Sequence, residues 1–323
     1  IRFLNLLKSE VDNNKKVNFS VCKNLNNNCN LSYLPQTDIR DLLEGKLTFE
    51  GQDYQFIGDG IQPNNNYSNV ILNNKSFKNV LFFFNEGIEY EFNKKNNLFK
   101  VFQKTKHGRV FFINGNIENV KINFIGNSSN FDLAASNRID KKNLTGCLTF
   151  IKSNFKNVEL ESSNSNCEDG INLINTSGNI NEIVSENSLY DGLDIDFSSL
   201  SIKSIKINNS LNDCLDFSFG NYFVKNLELN YCGDKGISVG EKSVANFKIA
   251  NISNSNIGIA SKDSSNVNVD TANIVNTKIC VSAYRKKQEF TGAILKIINS
   301  NCENYYKKMD MDKNSKIIFV KEL

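Results

Sequence analysis

At 323 residues the chain is long for one compact domain and short for three, which favours one elongated domain or two small ones. With 40% hydrophobic and 23% charged residues it is not wholly disordered. Its 38 Lys and Arg against 35 Asp and Glu leave only +3, so nucleic acid is excluded as the default partner. No stretch approaches the roughly 20 apolar residues of a membrane helix, the nearest being Val80 to Phe84, so no membrane span is expected. The composition is skewed instead toward Asn, with 55 of them beside 2 Pro and no Trp.

In chain order, 1–45 follows no period and reads as an N-terminal cap or the end of a preceding segment. Asp38 to Leu43 suits a short helical turn capped at Thr37. The start at Ile1, without Met or the basic lead of a signal peptide, reads as a mature piece or a fragment. From 46 onward strand-like runs dominate (Tyr54 to Ile57, Val80 to Phe84, Val101 to Phe102), irregularly spaced, and predict early rungs with long loops. Asn127 to Thr145 is polar and unpatterned, a loop of the kind that walls a groove.

A repeat then takes over. Gly170, Gly192, Cys214, Gly236, Gly258 and Cys280 recur every 22 residues, and the next column is Ile171, Leu193, Leu215, Ile237, Ile259 and Val281. Cys147-Leu148-Thr149-Phe150 continues it upstream with one extra residue. A second strand recurs as Ile183, Ile205, Leu227 and Ile249. A unit of about 22 residues with short strands and no helical period cannot bury its apolar face alone, whereas a stack of such units can. The expected fold is all-β: a right-handed parallel β-helix over 46–310, most regular at 147–298, with a C-terminal cap at 311–323. Asn suits it by tolerating left-handed turns and bonding from rung to rung. Cys147, Cys214 and Cys280 fall on the small interior column and read as buried structural thiols. Cys22 and Cys29 stand where a small disulfide loop either closes or does not.

Charge gathers beside the small-residue ladder. Asp169, Asp191, Asp213 and Lys235 share one column, Asp194 and Asp216 another, Asp196 lies level with Lys262 and Tyr284, and Glu168 with Asn212 and Asp234. Arg285 closes the series. Carboxylates about one rung apart repel, so one holds a proton, a lysine compensates, or a cation lies between them; Asp194, Asp196 and Asp216 are the candidate Ca2+ ligands. Such a row fits acidic-polymer chemistry. In a lyase or epimerase, Lys235 or Lys262 takes the C5 proton of a uronate while Arg285, Asp213 and Asp191 complete the catalytic set, with Asp194, Asp216, Asp234 and Tyr284 binding substrate. In a hydrolase, paired carboxylates about 5 to 5.5 Å apart retain configuration and pairs about 6.5 to 9.5 Å apart invert it. The plainer reading is a solvated outer face.

Cys167-Glu-Asp-Gly-Ile-Asn-Leu, Tyr190-Asp-Gly-Leu-Asp-Ile-Asp-Phe, Asn212-Asp-Cys-Leu-Asp-Phe-Ser, Cys232-Gly-Asp-Lys-Gly-Ile-Ser-Val-Gly-Glu-Lys-Ser, Ile259-Ala-Ser-Lys-Asp and Ala283-Tyr-Arg-Lys-Lys-Gln-Glu-Phe come in that order over about 147–292. Together they resemble the bacterial parallel β-helix repeat domain found with spore-coat-kinase-like modules, in the pectate-lyase-like superfamily. More loosely, Asp191-Gly192, Asn212-Asp213-Cys214 and Asp234-Lys235-Gly236 resemble the successive rung motifs of polygalacturonase-type hydrolases. Asp191 and Asp213 match family carboxylates, while Asn212 stands at the general-acid position and Lys235 at the histidine position, and an amide cannot donate that proton. The first family has no settled activity, so the resemblance implies the fold; a secreted or cell-surface bacterial location and a polysaccharide partner are the expectation drawn from the fold and the charged columns together. The functional expectation is a β-helix acting on or binding polysaccharide, as a lyase or epimerase on uronate polymers; the alternatives are a non-catalytic adhesin, spike or scaffold module and a degenerate polygalacturonase-like hydrolase.

Overall fold

The computed structural model describes residues 18–22, 29–33, 67–127 and 145–322, which contain strands and no helix. The chain separates into two compact units, 1–67 with 139–145 and 68–138 with 146–323. In the first, Asn18–Cys22 runs antiparallel to Cys29–Tyr33 and sets Cys22 opposite Cys29 along the backbone. Bonding between those two side chains lies outside the described residues. So do the helical turn at 38–43, the strand at 54–57 and nearly all of the loop at 127–145.

The second unit is a parallel β-solenoid whose coils are close to 22 residues long. Ile171, Leu193, Leu215, Ile237, Ile259 and Val281 are successive register partners, and all are fully buried. Their strands form a first sheet, running through Gly146–Ile151, Asp169–Ile174, Asp191–Asp196 and Leu215–Ser218 into the longer strands beyond. A strand such as Ser199–Ser210 then serves two more sheets. Its pairing to Asn221–Gly240 skips one residue between Ile202↔Val224 and Ser204↔Asn226, and there the chain turns from the second sheet into the third. Inward positions are mostly apolar, with Ser162, Ser185 and Ser261 as buried exceptions, and each inward Leu, Ile or Phe contributes about 1.5 to 3 kcal/mol on burial.

Corners need a left-handed backbone, and 12 of the 20 non-glycine residues with positive φ among those described are Asn. The Asn amides also bond between rungs, Asn209 Nδ2 donating to Asn187 Oδ1 at 2.8 Å and Asn276 Nδ2 to Asn254 Oδ1 at 3.2 Å. Both properties expected of Asn are therefore used.

The beginning of the unit departs from a simple run of rungs. Leu98–Gln103, Val110–Ile113 and Asn116–Glu118 make the first coil, parallel to the strands that follow. Across their other edges lie Ile88–Asn93, Val80–Asn85 and Phe77–Lys78, all antiparallel. This reversal covers the coil end with an aromatic plug of Phe77, Phe82, Phe99 and Phe112, whose exposure does not exceed 1%. At the other end Lys316–Glu322 stacks parallel on the strand Ile294–Met311.

The cysteine expectation is corrected. Cys147, Cys214 and Cys280 are not thiols: they form disulfides with Cys167, Cys232 and Cys302, separated in sequence by 20, 18 and 22 residues. Each bond closes nearly one whole coil into a ring, and the rings recur every third rung. On the rungs between, glycine takes the cysteine position because the facing column is too close for a side chain. A Cβ on Gly170 would meet Ser188 Oγ at 2.7 Å, and one on Gly192 would meet Ser210 Oγ at 2.7 Å. Replacing Cys214 by Gly and Cys232 by Ser copies those neighbours, so the double variant keeps the fold but loses about 3 kcal/mol of unfolding free energy. Urea denaturation measures this; an unchanged midpoint would show that the ring adds no stability.

Candidate functional site

The carboxylates stand on the outer face of the first sheet. Along Asp191–Asp196 alternation sends Leu193 and Ile195 into the core and Asp194 and Asp196 to the opposite face. Neighbouring rungs bring Asn172 and Asp216 level with Asp194. At the corner before this strand the column Asp169, Asp191, Asp213, Lys235 forms a zipper. Asp191 Oδ1 accepts from the Asp213 backbone N–H at 2.8 Å and from Asn212 Nδ2 at 2.7 Å, and Asp213 Oδ1 accepts from the Lys235 backbone N–H at 2.9 Å.

The plainer reading of a solvated face does not hold here: none of Asp191, Asp194, Asp196, Asp213, Lys235 and Lys262 exposes more than 8% of its surface. Burial, reinforced by Asp213 and Asp169, holds the Asp191 carboxyl well above the usual range. Burial, with Asp196 and Asp169 beside it, does the same to Asp194. Burial together with Asp216 and Asp169 pushes Asp196 up to about 7. Burial and Asp216 push Asp213 up to about 6 against the pull of Lys235 and Lys262. The lysines go the other way. Burial alone would depress Lys262, but Asp216 at 3.7 Å, Asp213 and Glu241 outweigh it and hold the ammonium above its ordinary value. Lys235 is likewise raised by Asp213 at 3.3 Å and by Asp234, with which it also bonds. Both ammonium groups are thus held in ion pairs.

The other expected residues sort unevenly. Tyr284 borders the cluster, its hydroxyl raised by burial against the opposing pull of Lys235 and Lys262. Asp234 is partly exposed and enters only through Lys235. Arg285 is exposed, its backbone N–H donating to Asp312 Oδ2 at 2.8 Å. Missed by the sequence reading were Glu241, which accepts from Ser218 Oγ at 2.6 Å and pairs with Lys287, and Asp263, whose Oδ1 caps the backbone N–H groups of Lys286 and Lys287.

The expected Ca2+ ligands Asp194, Asp196 and Asp216 lie close together on the first sheet. Asp194 Oδ1, both Asp196 carboxylate oxygens and Asp216 Oδ1 are buried without a hydrogen-bond partner. Yet no group of three donors among the described residues is placed to hold a metal ion.

A second feature escaped sequence reasoning. The outer face of the third sheet carries a groove of about 390 Å³ across five successive rungs. One column along it runs Val184, Lys206, Glu228, Asn251, Asn273 and the next Glu186, Asn208, Asn230, Ser253, Val275. Its amides are linked in the rung direction, Asn273 Nδ2 to Asn251 Oδ1 at 2.9 Å and Asn230 Nδ2 to Asn208 Oδ1 at 3.1 Å, while Ser253 Oγ donates to Asn230 Oδ1 at 2.7 Å. Lys206 is paired with Glu182 at 2.9 Å. The outward Asn positions at one-coil spacing were the available signal.

No family model, curated protein or solved structure matches this chain. Among the described residues no helix is long and apolar enough to cross a membrane.

The raised carboxyls give a signed pH dependence. In the unfolded chain an Asp titrates near 3.9, so between about pH 4 and 7 the folded state binds more protons. Stability is therefore greatest at the acidic end of that window and falls as pH rises through the folded values of Asp213 and Asp196. Glu241, lowered by Lys287 and Ser218 against its burial, affects stability only below the window. Asp196→Asn is expected to stabilise the protein at pH 8 by about 1.4 kcal/mol for each unit its carboxyl is raised, and to do nothing at pH 4. Thermal unfolding at both pH values tests this; a wild-type melting temperature that climbs from pH 4 to pH 8 would contradict it.

Proposed function

We propose that this is an extracellular β-solenoid of the pectate-lyase-like kind that binds an extended polysaccharide on its third sheet without cleaving it. The observation that carries the reading is the groove: the amides of Asn208, Asn230, Asn251 and Asn273 and the Ser253 hydroxyl stand at a spacing of about 4.8 Å per rung in two columns completed by Val184, Val275, Glu186, Lys206 and Glu228, a mixed apolar and polar array suited to an extended polymer with repeating hydroxyls. Three coil-closing disulfides support an oxidising compartment. Against a lyase or epimerase stand the burial of Lys235 and Lys262 and their capture in ion pairs. Affinity electrophoresis in gels containing neutral or uronate polysaccharides tests the proposal. Retardation by at least one polymer is expected, weakened at least tenfold in Asn208→Leu/Asn230→Leu and unchanged in Asp234→Ala, which lies off the groove. Retardation indifferent to the groove variant, or none with any polymer, would refute it.

A second reading, acid–base cleavage at the first sheet, is favoured by one observation. Asp213 near 6 and Asp196 near 7 lie where a general acid works at neutral pH. Release of new sugar ends from a uronate polymer, with and without added Ca2+, and its loss in Asp213→Asn would establish it in place of the binding reading.

A further inference from the structure

The corner that follows the third sheet is built as one column. From Asn164 through Asn187, Asn209, Asn254 and Asn276 to Asn304, register partners stand level on successive rungs, each with φ between 51° and 63°. Every position is Asn but one, Tyr231, which lies between Asn209 and Asn254 with φ 52°. The amides bond along the column, Asn187 Nδ2 to Asn164 Oδ1 and Asn304 Nδ2 to Asn276 Oδ1, both at 3.1 Å. Tyr231 breaks that chain. Asn254 Nδ2 donates instead to Asn230 Oδ1, at 2.8 Å. A bulky side chain also bears, at this φ, the crowding that Asn tolerates.

Nothing in the fold offsets these costs. Tyr231 is 58% exposed, and its side chain neither stacks nor hydrogen-bonds with any described residue. The corner after the first sheet is different: Phe197 and Phe219 also have positive φ, but their rings stack at 4.7 Å and Phe290 packs on Phe219. What Tyr231 does have is a place beside the groove. It directly follows Asn230 in the groove lining, and the bond from Asn254 to Asn230 shows that side chains of this column reach the groove edge.

We propose that Tyr231 is the sugar-stacking platform of the groove and that the polymer taken there is neutral. This rests on the groove reading of the third sheet and narrows it to one polymer class. A pyranose with equatorial hydroxyls presents a flat face of C–H bonds, which packs on the electron-rich face of an aromatic ring. Its rim hydroxyls then meet the amides of Asn208 and Asn230. The charge of the groove disfavours a polyuronate. Glu186 and Glu228 line it without a salt bridge among the described residues, whereas Lys206 is paired with Glu182. The exposed Lys203 and Lys225 stand at the opposite corner of the sheet, outside the lining.

Stability and binding should move in opposite directions, which a merely structural tyrosine would not allow. Tyr231→Asn restores the amide column, so its melting temperature is expected to rise, by about 2 °C. In affinity gels containing hydroxyethylcellulose, a neutral β-linked glucan, the same variant should bind at least tenfold more weakly than wild type. Tyr231→Phe, which retains the ring, should bind as wild type does, and polygalacturonate should retard the wild-type protein at least tenfold less than the glucan. If Tyr231→Asn binds normally while Asn208→Leu/Asn230→Leu does not, the inference is overturned and the groove reading stands. Loss of binding together with a lowered melting temperature would make Tyr231 a structural residue and overturn it as well. Stronger retardation by polygalacturonate than by the glucan would contradict the neutral polymer, and no retardation by any polymer would remove the groove reading and this inference with it.

Discussion

A coil of about 22 residues cannot satisfy itself. Its strands leave every backbone N–H and C=O pointing along the stacking axis, and its apolar residues face an interior too narrow to form a core alone. Both demands are met by one arrangement, another coil in register above and below. The continuous column from Ile171 to Val281 is the direct expression of that constraint. Where a coil has no parallel neighbour, the constraint has to be relieved by other means. At the first coil antiparallel strands and a phenylalanine plug supply the missing partner, whereas Ile294 to Ser300 is stacked in parallel by Lys316–Glu322.

Stacking in register has a cost on the outer face, because a side chain repeated at one position meets its own kind a rung away. For Asn this is an advantage, since an amide both donates and accepts. For Asp it is not, and the buried row on the first sheet shows how the conflict is resolved. Asp191 and Asp213 turn their oxygens onto backbone N–H groups of the next rung, Lys235 and Lys262 neutralise part of the row, and burial raises the carboxyls of Asp194 and Asp196 toward their protonated form. The same row is what acid–base chemistry on a polysaccharide would use, and what separates the two is access for substrate.

Much of the architecture was legible in sequence for a simple reason: most inward positions are apolar, so the period of 22 is written into Ile171, Leu193 and their successors. The left-handed corners were legible through Asn. Other features had no periodic signature. Val80 to Phe84 is an unbroken apolar run that reads the same whether its neighbour is parallel or antiparallel, so the reversal at Val110–Ile113 was hidden. Cys214 and Cys232 lie 18 residues apart and fall in different columns, and a search for repeats groups Cys214 with Gly192 and Gly236 instead of with its bonded partner. Burial of Asp194 and Asp196 was invisible because a polar outward position reads as solvated. The groove was passed over for the same reason, Asn208 and Asn230 looking like ordinary surface polarity in an Asn-rich chain.

Removing one coil tests the stacking constraint most directly. Deleting 171–192, which contains no cysteine, joins Gly170 to Leu193, just as Gly192 precedes Leu193 in the intact chain, and leaves every column continuous. Circular dichroism of this shortened protein is predicted to show the same β spectrum and one cooperative melt, while a control lacking 171–181 alone, half a coil, fails to fold. If the whole-coil deletion unfolds as the half-coil deletion does, the coils are not interchangeable stacked units and the account of this fold is wrong.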